Sequence, residues 1–166
     1  MITLVLGGAR SGKSEIAERL AGRTGEPVTY LATGLATDPD MAARIEAHRR
    51  RRPAHWSTLE CGAELVDALG AARGAVLVDA LGTWLAQLGG FEVDTEALCR
   101  ALRARAGPTI VVSDEVGMGV HPATAAGRRF RDALGALNQA VAAIADDAFL
   151  VVAGRMLALR EVDTRA

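Results

Sequence analysis

The first fourteen residues contain the feature that most constrains the fold of this chain. Residues 2–6 form a short apolar, β-branched run, which is typical of a buried strand. The run leads into a stretch that matches G-x4-G-K-[ST] at every fixed position: Gly7, Gly8, Ala9, Arg10, Ser11, Gly12, Lys13 and Ser14. A helical pattern follows over residues 13–21. Strand, loop and helix in this order predict a phosphate-binding loop (P-loop).

Each part of this loop has a chemical role in binding a nucleotide. Glycines let successive backbone N–H groups point at one anion, and the start of the helix adds its positive dipole end. Lys13 brings a charge to the β- and γ-phosphates, and the Ser14 hydroxyl is a candidate Mg²⁺ ligand. The alternative is a glycine-rich turn that begins a helix and binds nothing. Lys13 is the single lysine beside eighteen arginines, which favours a dedicated role and hence a nucleotide-binding protein.

Composition excludes several other classes of protein. The chain has 166 residues, of which 50% are hydrophobic and 4% aromatic, and this suits one aliphatic α/β domain. A formal net charge of −1 argues against bulk electrostatic binding to nucleic acid or to an acidic membrane. We see neither a secretion signal nor a run long enough to span a membrane, and we expect a cytoplasmic protein. Cys61 and Cys99 lack metal-ligand spacing.

Strand-like and helix-like segments alternate along the chain. We expect strands over 28–32, 75–79, 109–113 and 149–153, with a possible short one at 57–60. Helices are expected between Asp38 and Pro53 and over 63–69, 82–88, 94–106 and 123–145. The alternation predicts a single P-loop NTPase domain over residues 1–160, with a mostly parallel sheet covered by helices on both faces. Residues 161–166 are expected to be a frayed tail.

Asp79 ends an apolar strand and is the expected acidic partner of the P-loop. A carboxylate at the carboxyl end of such a strand can hold Mg²⁺ directly or through water. The alternative is that Asp79 caps the helix predicted over residues 82–88.

The most unusual local composition is a histidine followed by four arginines: His48, Arg49, Arg50, Arg51 and Arg52. If the helix reaches Arg52, then Arg44, Arg51 and Arg52 share a face with His48. Nearby positive charge favours a neutral, nucleophilic imidazole, and guanidinium groups bind phosphate oxygens. Two alternatives stay open at this point: an exposed basic helix end, or a nucleic-acid-binding patch.

Longer motifs extend the pattern over nearly the whole chain. They are Tyr30 to Thr33, Met41 to Ile45, His48-Arg49 with Arg52-Pro53, Trp56, Glu60, Val78-Asp79, Ser113 to Gly119, Phe130 to Asp132, Asn138-Gln139 and Leu150 to Gly154. With the P-loop, these motifs resemble the bifunctional adenosylcobinamide kinase / adenosylcobinamide-phosphate guanylyltransferase family of cobalamin biosynthesis, over about residues 1–160.

The resemblance implies a RecA-like P-loop fold, a homotrimer and two reactions. The enzyme would phosphorylate adenosylcobinamide with ATP or GTP, and would then transfer GMP from GTP to that phosphate, releasing pyrophosphate. The family's guanylylated histidine falls on His48, and Lys13 is the second catalytic residue. Nucleotide contacts fall on residues 7–14 and on Ala32, Thr33, Gly34, Arg49, Arg50, Arg51, Arg52, Glu60 and Asp79. Mg²⁺ would be bound by Ser14 and Asp79. The implied partners are these substrates, with neither nucleic acid nor a membrane span.

Three positions depart from the family pattern. Asp114 stands where the family has Asn, Gly82 replaces a larger residue, and Arg155-Met156 replaces an Ile/Val-Pro turn. Asp114 adds negative charge near the phosphates and the metal. Two other functions stay open as alternatives. One is a single-activity small-molecule kinase in which the arginines act as a phosphate clamp, and the other is a nucleotide-dependent switch or nucleic-acid-binding module.

Overall fold

The computed structural model describes residues 1–34 and 39–161, which form one mixed α/β sheet domain. Its strands are β1 (Ile2–Gly7), β2 (Val28–Ala32), β3 (Ser57–Glu60), β4 (Ala75–Asp79), β5 (Thr109–Asp114), β6 (Asp147–Val152) and β7 (Arg155–Leu159). Its helices are α1 (Lys13–Gly22), α2 (Pro39–Arg51), α3 (Leu65–Ala71), α4 (Leu81–Leu85), α5 (Thr95–Ala104) and α6 (Ala125–Ala142). A short 3₁₀ turn spans Gly89–Phe91. The predicted cap Asp38 and tail residues 162–166 lie outside the described residues.

The strands form one sheet in the order β3-β2-β4-β5-β1-β6-β7. Five strand pairs are parallel: β1 with β5, β1 with β6, β2 with β3, β2 with β4, and β4 with β5. The mostly parallel sheet is therefore confirmed. The antiparallel pairing of β6 with β7 was not predicted, since every residue of β7 is exposed and the segment lacks the burial pattern of a strand. The turn between these strands places Ala153 and Gly154 at φ of 51° and 72°, which hairpin turns require.

Side chains of the central strands pack alternately on the two faces of the sheet. Leu4 joins the core cluster that contains residues of α3, α4, α5 and α6, while its neighbour Val5 joins the cluster that contains residues of α1. The inner strands are accordingly apolar on both sides, as parallel sheets require. Among residues 1–34 and 39–161, no helix combines the length and the hydropathy that crossing a membrane would need.

Helix ends differ from the sequence-based bounds by a few residues. Helix α4 ends at Leu85 rather than Leu88, because Gln87 and Leu88 donate to carbonyls three residues back and tighten the last turns. Helix α5 begins where expected, with the Asp94 carboxylate accepting from the backbone N–H of Ala97 at 2.8 Å. Helix α6 is capped in the same way by Thr124.

The carboxyl ends of the parallel strands bring the predicted acids and the P-loop to one edge of the sheet. Gly7 of β1 lies opposite Asp114 of β5 in the register, and Val112 of β5 lies opposite Asp79 of β4. Strand β5 thus separates the P-loop strand from the Asp79 strand. This edge is where open α/β sheets bind their ligands.

The opposite edge is held by the side chain of Arg105. Its Nη1 donates to the carbonyls of Leu69 and Ala72, and its Nη2 to the carbonyl of Gly74, each at 2.8 Å. Its Nε donates to Thr109 Oγ1 at 3.0 Å. One guanidinium therefore satisfies the carbonyls at the end of α3 and ties them to the start of β5.

We expect Arg105→Met to lower the free energy of unfolding by about 2–3 kcal/mol, because the replacement leaves these carbonyls without a charged donor. Urea denaturation measures this change. Arg103→Met, at an exposed position in the last turn of α5 and two residues before Arg105, is the matched control and should change stability by less than about 0.5 kcal/mol. Equal unfolding midpoints for the two variants would show that Arg105 has no structural role.

Candidate active site

The P-loop has the backbone geometry of an anion-binding turn. Gly12, the residue before α1, has a φ of 92°, a left-handed conformation that favours glycine. Ser11 donates its backbone N–H to the Gly8 carbonyl at 3.2 Å, which closes the loop. Gly154, in the β6–β7 turn, donates its N–H to the Ser11 carbonyl at 2.8 Å, and this hydrogen bond connects the loop to the hairpin. The loop leads directly into α1, whose first residue is Lys13.

A cavity of about 770 Å³ opens over this loop. Predicted site residues that line it are Ala9, Arg10, Ser11, Gly12, Lys13, Ser14, Ala32, Gly34, His48, Arg49, Arg51, Arg52, Glu60 and Asp79. Other lining residues include Glu15, Tyr30, Glu46, Thr83 and Asp114. One chain thus brings the P-loop and His48 into the same cavity, a point that the sequence left open.

Four of the predicted nucleotide contacts do not line the cavity: Gly7, Gly8, Thr33 and Arg50. Thr33 is fully buried, and its hydroxyl faces inward to the Ala80 carbonyl at 2.8 Å and to Thr83 Oγ1 at 2.6 Å. Arg50 points to the exposed side of α2, where it pairs with Glu46 at 3.0 Å. Thr33 therefore ties the end of β2 to the start of α4 and does not face the cavity. Arg50 lies on the outer surface.

The Asp79 carboxylate lines the cavity and accepts hydrogen bonds from more than one element. Its Oδ1 accepts from Ser14 Oγ at 3.2 Å, and its Oδ2 accepts from Tyr30 Oη at 2.5 Å. His48 Nδ1 lies 3.3 Å from the same Oδ2. Burial alone would raise the pKa of this carboxyl, but hydrogen bonds from His48, Tyr30 and Ser14 outweigh burial and hold the pKa below its ordinary value.

These contacts separate the two interpretations of Asp79. The residue that precedes α4 is Ala80, and no side chain hydrogen-bonds to the helix N-terminus from that position. The Asp79 carboxylate instead faces the P-loop helix and His48. A helix cap is therefore not the role of Asp79.

Ser14 and Asp79 present the oxygen ligands that Mg²⁺ prefers. A hydroxyl oxygen and a carboxylate oxygen stand 3.2 Å apart at the mouth of the P-loop. Among the described residues no cluster of three or more His, Cys, Asp or Glu side chains could hold a metal by itself. A metal here would accordingly take its remaining ligands from phosphate oxygens and water, as Mg²⁺ in nucleotide sites does. The residues fit the ion that the sequence predicts.

Tyr30 is a site residue to which the sequence assigned no role. It is 2% exposed, and burial together with the Asp79 charge raises its pKa, so the phenol stays protonated and donates. The Arg52 guanidinium lies over the Tyr30 ring, with 3.3 Å from its carbon to the ring centroid. A signal was available, because this is the single tyrosine of the chain and a buried phenol needs a hydrogen-bond partner.

The other arginines of the cluster have acidic partners. Arg49 pairs with Glu60 at the end of β3, and Arg51 pairs with Glu18 of α1 at 3.1 Å. These ion pairs join the end of α2 to two neighbouring elements. They were not predicted, because the partners are distant in sequence. The side chain of Arg44, expected on the same helix face, lies outside the described part of the structure.

Within residues 1–34 and 39–161, Lys13 contacts two acceptors. Its Nζ lies 2.8 Å from Asp114 Oδ1 and donates to the Gly8 carbonyl at 3.2 Å. Asp114, identified in the sequence as a departure from the family pattern, is thus in direct contact with the P-loop lysine. Its carboxylate lines the same cavity.

We expect Tyr30→Phe to reduce the free energy of unfolding by about 1–2 kcal/mol at neutral pH, because it removes one donor from a buried, ionised carboxylate. The lowered pKa of Asp79 contributes stability above the ordinary pKa of an unfolded aspartate, and that stability is lost as pH falls through the folded-state pKa. The difference between variant and wild type should therefore shrink on acidification. Urea denaturation at a series of pH values measures it.

Thr29→Val is the matched control for this variant. It removes a hydroxyl from the same strand, but that hydroxyl donates to the Arg73 carbonyl rather than to an ionisable group. Its effect on stability should not depend on the ionisation of Asp79. A Tyr30→Phe effect that is as independent of pH as the Thr29→Val effect would contradict the role assigned to Tyr30.

Comparison with known proteins gives a consistent result over the whole domain. Residues 3–159 match the family described as cobinamide kinase / cobinamide phosphate guanyltransferase. The bifunctional adenosylcobalamin biosynthesis protein CobP of Pseudomonas aeruginosa is 43% identical, over 96% of this chain and 98% of its own length. The corresponding protein CobU of Salmonella typhimurium is 38% identical, over 93% of this chain and 97% of its own length.

Solved structures that resemble the fold have little sequence similarity to this chain. A type III secretion system ATPase aligns with a TM-score of 0.58 at 9% identity, over 90% of this chain and 50% of its own length. The flagellar accessory protein FlaH of Methanocaldococcus jannaschii aligns with a TM-score of 0.52 at 14% identity, over 93% of this chain and 74% of its own length. These likenesses support the fold alone. On the match over residues 3–159 and the near full-length relatives, the chain belongs to the cobinamide kinase / cobinamide phosphate guanyltransferase family.

Proposed function

We propose that the protein phosphorylates adenosylcobinamide with ATP or GTP, and then transfers GMP from GTP to the product through a covalent intermediate on His48. The observation that carries this proposal is the 3.3 Å contact between His48 Nδ1 and an Asp79 oxygen, inside the cavity over the P-loop. It brings a nucleophile within reach of a nucleotide bound by that loop. A kinase alone has no need of a histidine at this position.

Asp79 is arranged to prepare His48 for attack. A carboxylate that accepts the Nδ1 proton fixes the imidazole orientation and its tautomer, which leaves the Nε2 lone pair free. In the proposed first step of GMP transfer, Nε2 forms a bond to the α-phosphorus of GTP, while the bond from that phosphorus to the bridging oxygen breaks and pyrophosphate leaves. The positive charge that develops on the imidazole is balanced by the Asp79 carboxylate.

The second step returns the histidine to its starting state. A phosphate oxygen of adenosylcobinamide phosphate attacks the same phosphorus, the phosphorus–nitrogen bond breaks, and the imidazole keeps its Nδ1 proton. Lys13 and the backbone N–H groups of the P-loop bind the phosphates of the nucleotide in both reactions. Mg²⁺ bound by Ser14 and Asp79 would neutralise phosphate charge and so make pyrophosphate a better leaving group.

We expect wild-type protein incubated with α-³²P-GTP and Mg²⁺ to retain label after denaturation. The label should be lost in acid and survive base, as a phosphoramidate does. His48→Ala should retain none, and Lys13→Ala should be labelled about 10²–10³ times more slowly, because it loses a charge that stabilises the leaving phosphates. His55→Ala is the matched control, since His55 is exposed and does not line the cavity, and it should be labelled like wild type.

The same variants separate the two proposed reactions. His48→Ala should still transfer the γ-phosphate of ATP to adenosylcobinamide, because that step needs no covalent histidine, whereas Lys13→Ala should be impaired in both. A wild-type protein that phosphorylates adenosylcobinamide but never acquires label would contradict the guanylyltransferase proposal and favour the single-activity kinase. Label that persists in His48→Ala would assign the nucleophile to another residue.

We also propose that the protein assembles as a homotrimer, as the family resemblance implies. The β6–β7 hairpin supports an intersubunit contact, because it exposes apolar side chains at the edge of the sheet: Val152, Met156, Leu157 and Leu159. Val152 is 61% exposed and Leu157 is 62% exposed.

Leu157→Arg should reduce the mass measured by light scattering from three chains to one, because a charge would have to be buried against the neighbouring subunit. Leu59→Arg, on the opposite edge strand β3, is the control and should leave the mass unchanged. A trimer that persists in Leu157→Arg, or a wild-type monomer, would refute an interface at this hairpin.

A further inference from the structure

The ion pair between Lys13 and Asp114 occupies the ammonium group that a nucleotide needs. The two charged atoms are 2.8 Å apart, and the side chains are only 11% and 31% exposed. Lys13 Nζ also donates to the Gly8 carbonyl within the loop. A phosphate that binds Lys13 therefore arrives beside a carboxylate that is already in place.

Asp114 is held firmly by its backbone. It is the last residue of β5, where it lies opposite Gly7 in the register with β1, and the following residue Glu115 donates to the Gly7 carbonyl at 3.0 Å. Asn138 Nδ2 of α6 donates to the Asp114 carbonyl at 3.0 Å. The Ser113 hydroxyl in turn donates to Asn138 Oδ1 at 2.6 Å. The main chain at this position therefore cannot shift away from the P-loop without breaking several hydrogen bonds.

Gly82 provides the space that the Asp114 carboxylate occupies. A Cβ at position 82 would stand 3.3 Å from Asp114 Cγ and would overlap its Oδ2. The two departures from the family pattern at positions 82 and 114 are thus in contact and compatible with one another. Because Gly82 lies in α4 directly after the Asp79 strand, the Asp114 carboxylate is confined between that helix and Lys13.

Asp114 differs from the other carboxylates that line the cavity. Glu15 pairs with Arg19, Glu46 with Arg50 and Glu60 with Arg49. Asp79 is stabilised by donors from three elements. Among the described carboxylates that line the cavity, Asp114 is the one that pairs with the P-loop lysine, Lys13. When phosphate takes that lysine, the Asp114 charge loses its compensation.

We propose that Asp114 makes the site selective for the Mg²⁺ complex of the nucleotide over the free nucleotide. Coordination of Mg²⁺ cancels about two of the roughly four negative charges of a nucleoside triphosphate. The repulsive energy from one fixed charge is proportional to the charge of the ligand. Asp114 therefore weakens binding of the free nucleotide by about twice as much as binding of its Mg²⁺ complex, when the effect is expressed as the logarithm of the dissociation constant. The proposal rests on nucleotide binding at the P-loop but not on the chemistry of His48.

The test is equilibrium binding by calorimetry, which reads affinity rather than activity. The ligand is the GTP analogue with a methylene bridge between the α- and β-phosphates, because its carbon bridge blocks transfer of GMP to the protein. Affinity is measured with excess Mg²⁺ and with a chelator, for wild type and for Asp114→Asn, which keeps the shape and removes the charge. Glu96→Gln removes the same charge from an exposed ion pair on α5 and is the control.

We expect Asp114→Asn to bind the metal-free analogue about tenfold more tightly than wild type, and the Mg²⁺ complex only about threefold more tightly. Glu96→Gln should match wild type in both conditions. Equal gains in both conditions, or no gain, would overturn the proposal. Weaker binding of the Mg²⁺ complex by Asp114→Asn would also overturn it, because the carboxylate would then be a metal ligand.

Two further controls keep the test decisive. A thermal melt of each variant establishes that it is folded, and Asp114→Ser, which also removes the charge, should show the same ranking if Asp114→Asn is unstable. Wild type that binds the analogue in neither condition would refute nucleotide binding itself and with it the proposed function. Wild type that binds normally while both Asp114 variants match it would refute only the selectivity.

Discussion

The site is organised by the cost of keeping one charged carboxylate inside the protein. Asp79 is almost fully enclosed, and an isolated anion there would be unstable or would take up a proton. It stays ionised because α1, β2 and α2 each direct a donor at it, through Ser14, Tyr30 and His48. The same contacts fix how α2 approaches the sheet, since His48 is in the last turn of that helix. A local electrostatic requirement therefore positions the segment that carries the candidate nucleophile.

The two oxygens of Asp79 face different parts of the chemistry. Oδ1 is turned to Ser14 and the P-loop, where we propose that phosphates and Mg²⁺ bind, while Oδ2 is turned to Tyr30 and His48. The family to which this chain belongs combines a kinase with a guanyltransferase, and a carboxylate divided in this way can serve both without moving. Tyr30 keeps the two oxygens in these positions, because its buried hydroxyl donates to Oδ2 and so restricts rotation of the carboxylate. The Arg52 guanidinium over its ring adds a further link from α2 to β2.

The parts of this arrangement that the sequence predicts are those that depend on neighbouring residues. The P-loop, the buried strands and the acid at the end of β4 each follow from a short pattern in which adjacent side chains share one environment. Contacts between distant segments were missed: Tyr30 with Asp79 is separated by 49 residues, and Arg51 with Glu18 by 33. For the same reason Arg49 and Arg51 looked like free phosphate ligands, although each has an acidic partner on another element of the fold. The sequence did not predict strand β7, because its residues are all exposed and show no alternation of buried and exposed positions.

The hydrogen bond from Gly154 to the Ser11 carbonyl joins the P-loop to the turn of the edge hairpin. The loop and the outer edge of the sheet are thereby parts of one mechanical unit, although they belong to opposite ends of the chain. Suppose that a partner packs on the hairpin and displaces this turn, and so changes the affinity of the loop for phosphate by some factor. By thermodynamic linkage, bound phosphate then changes the affinity of the hairpin for that partner by the same factor. If the hairpin forms the intersubunit contact proposed above, assembly and nucleotide binding are coupled through this one backbone hydrogen bond.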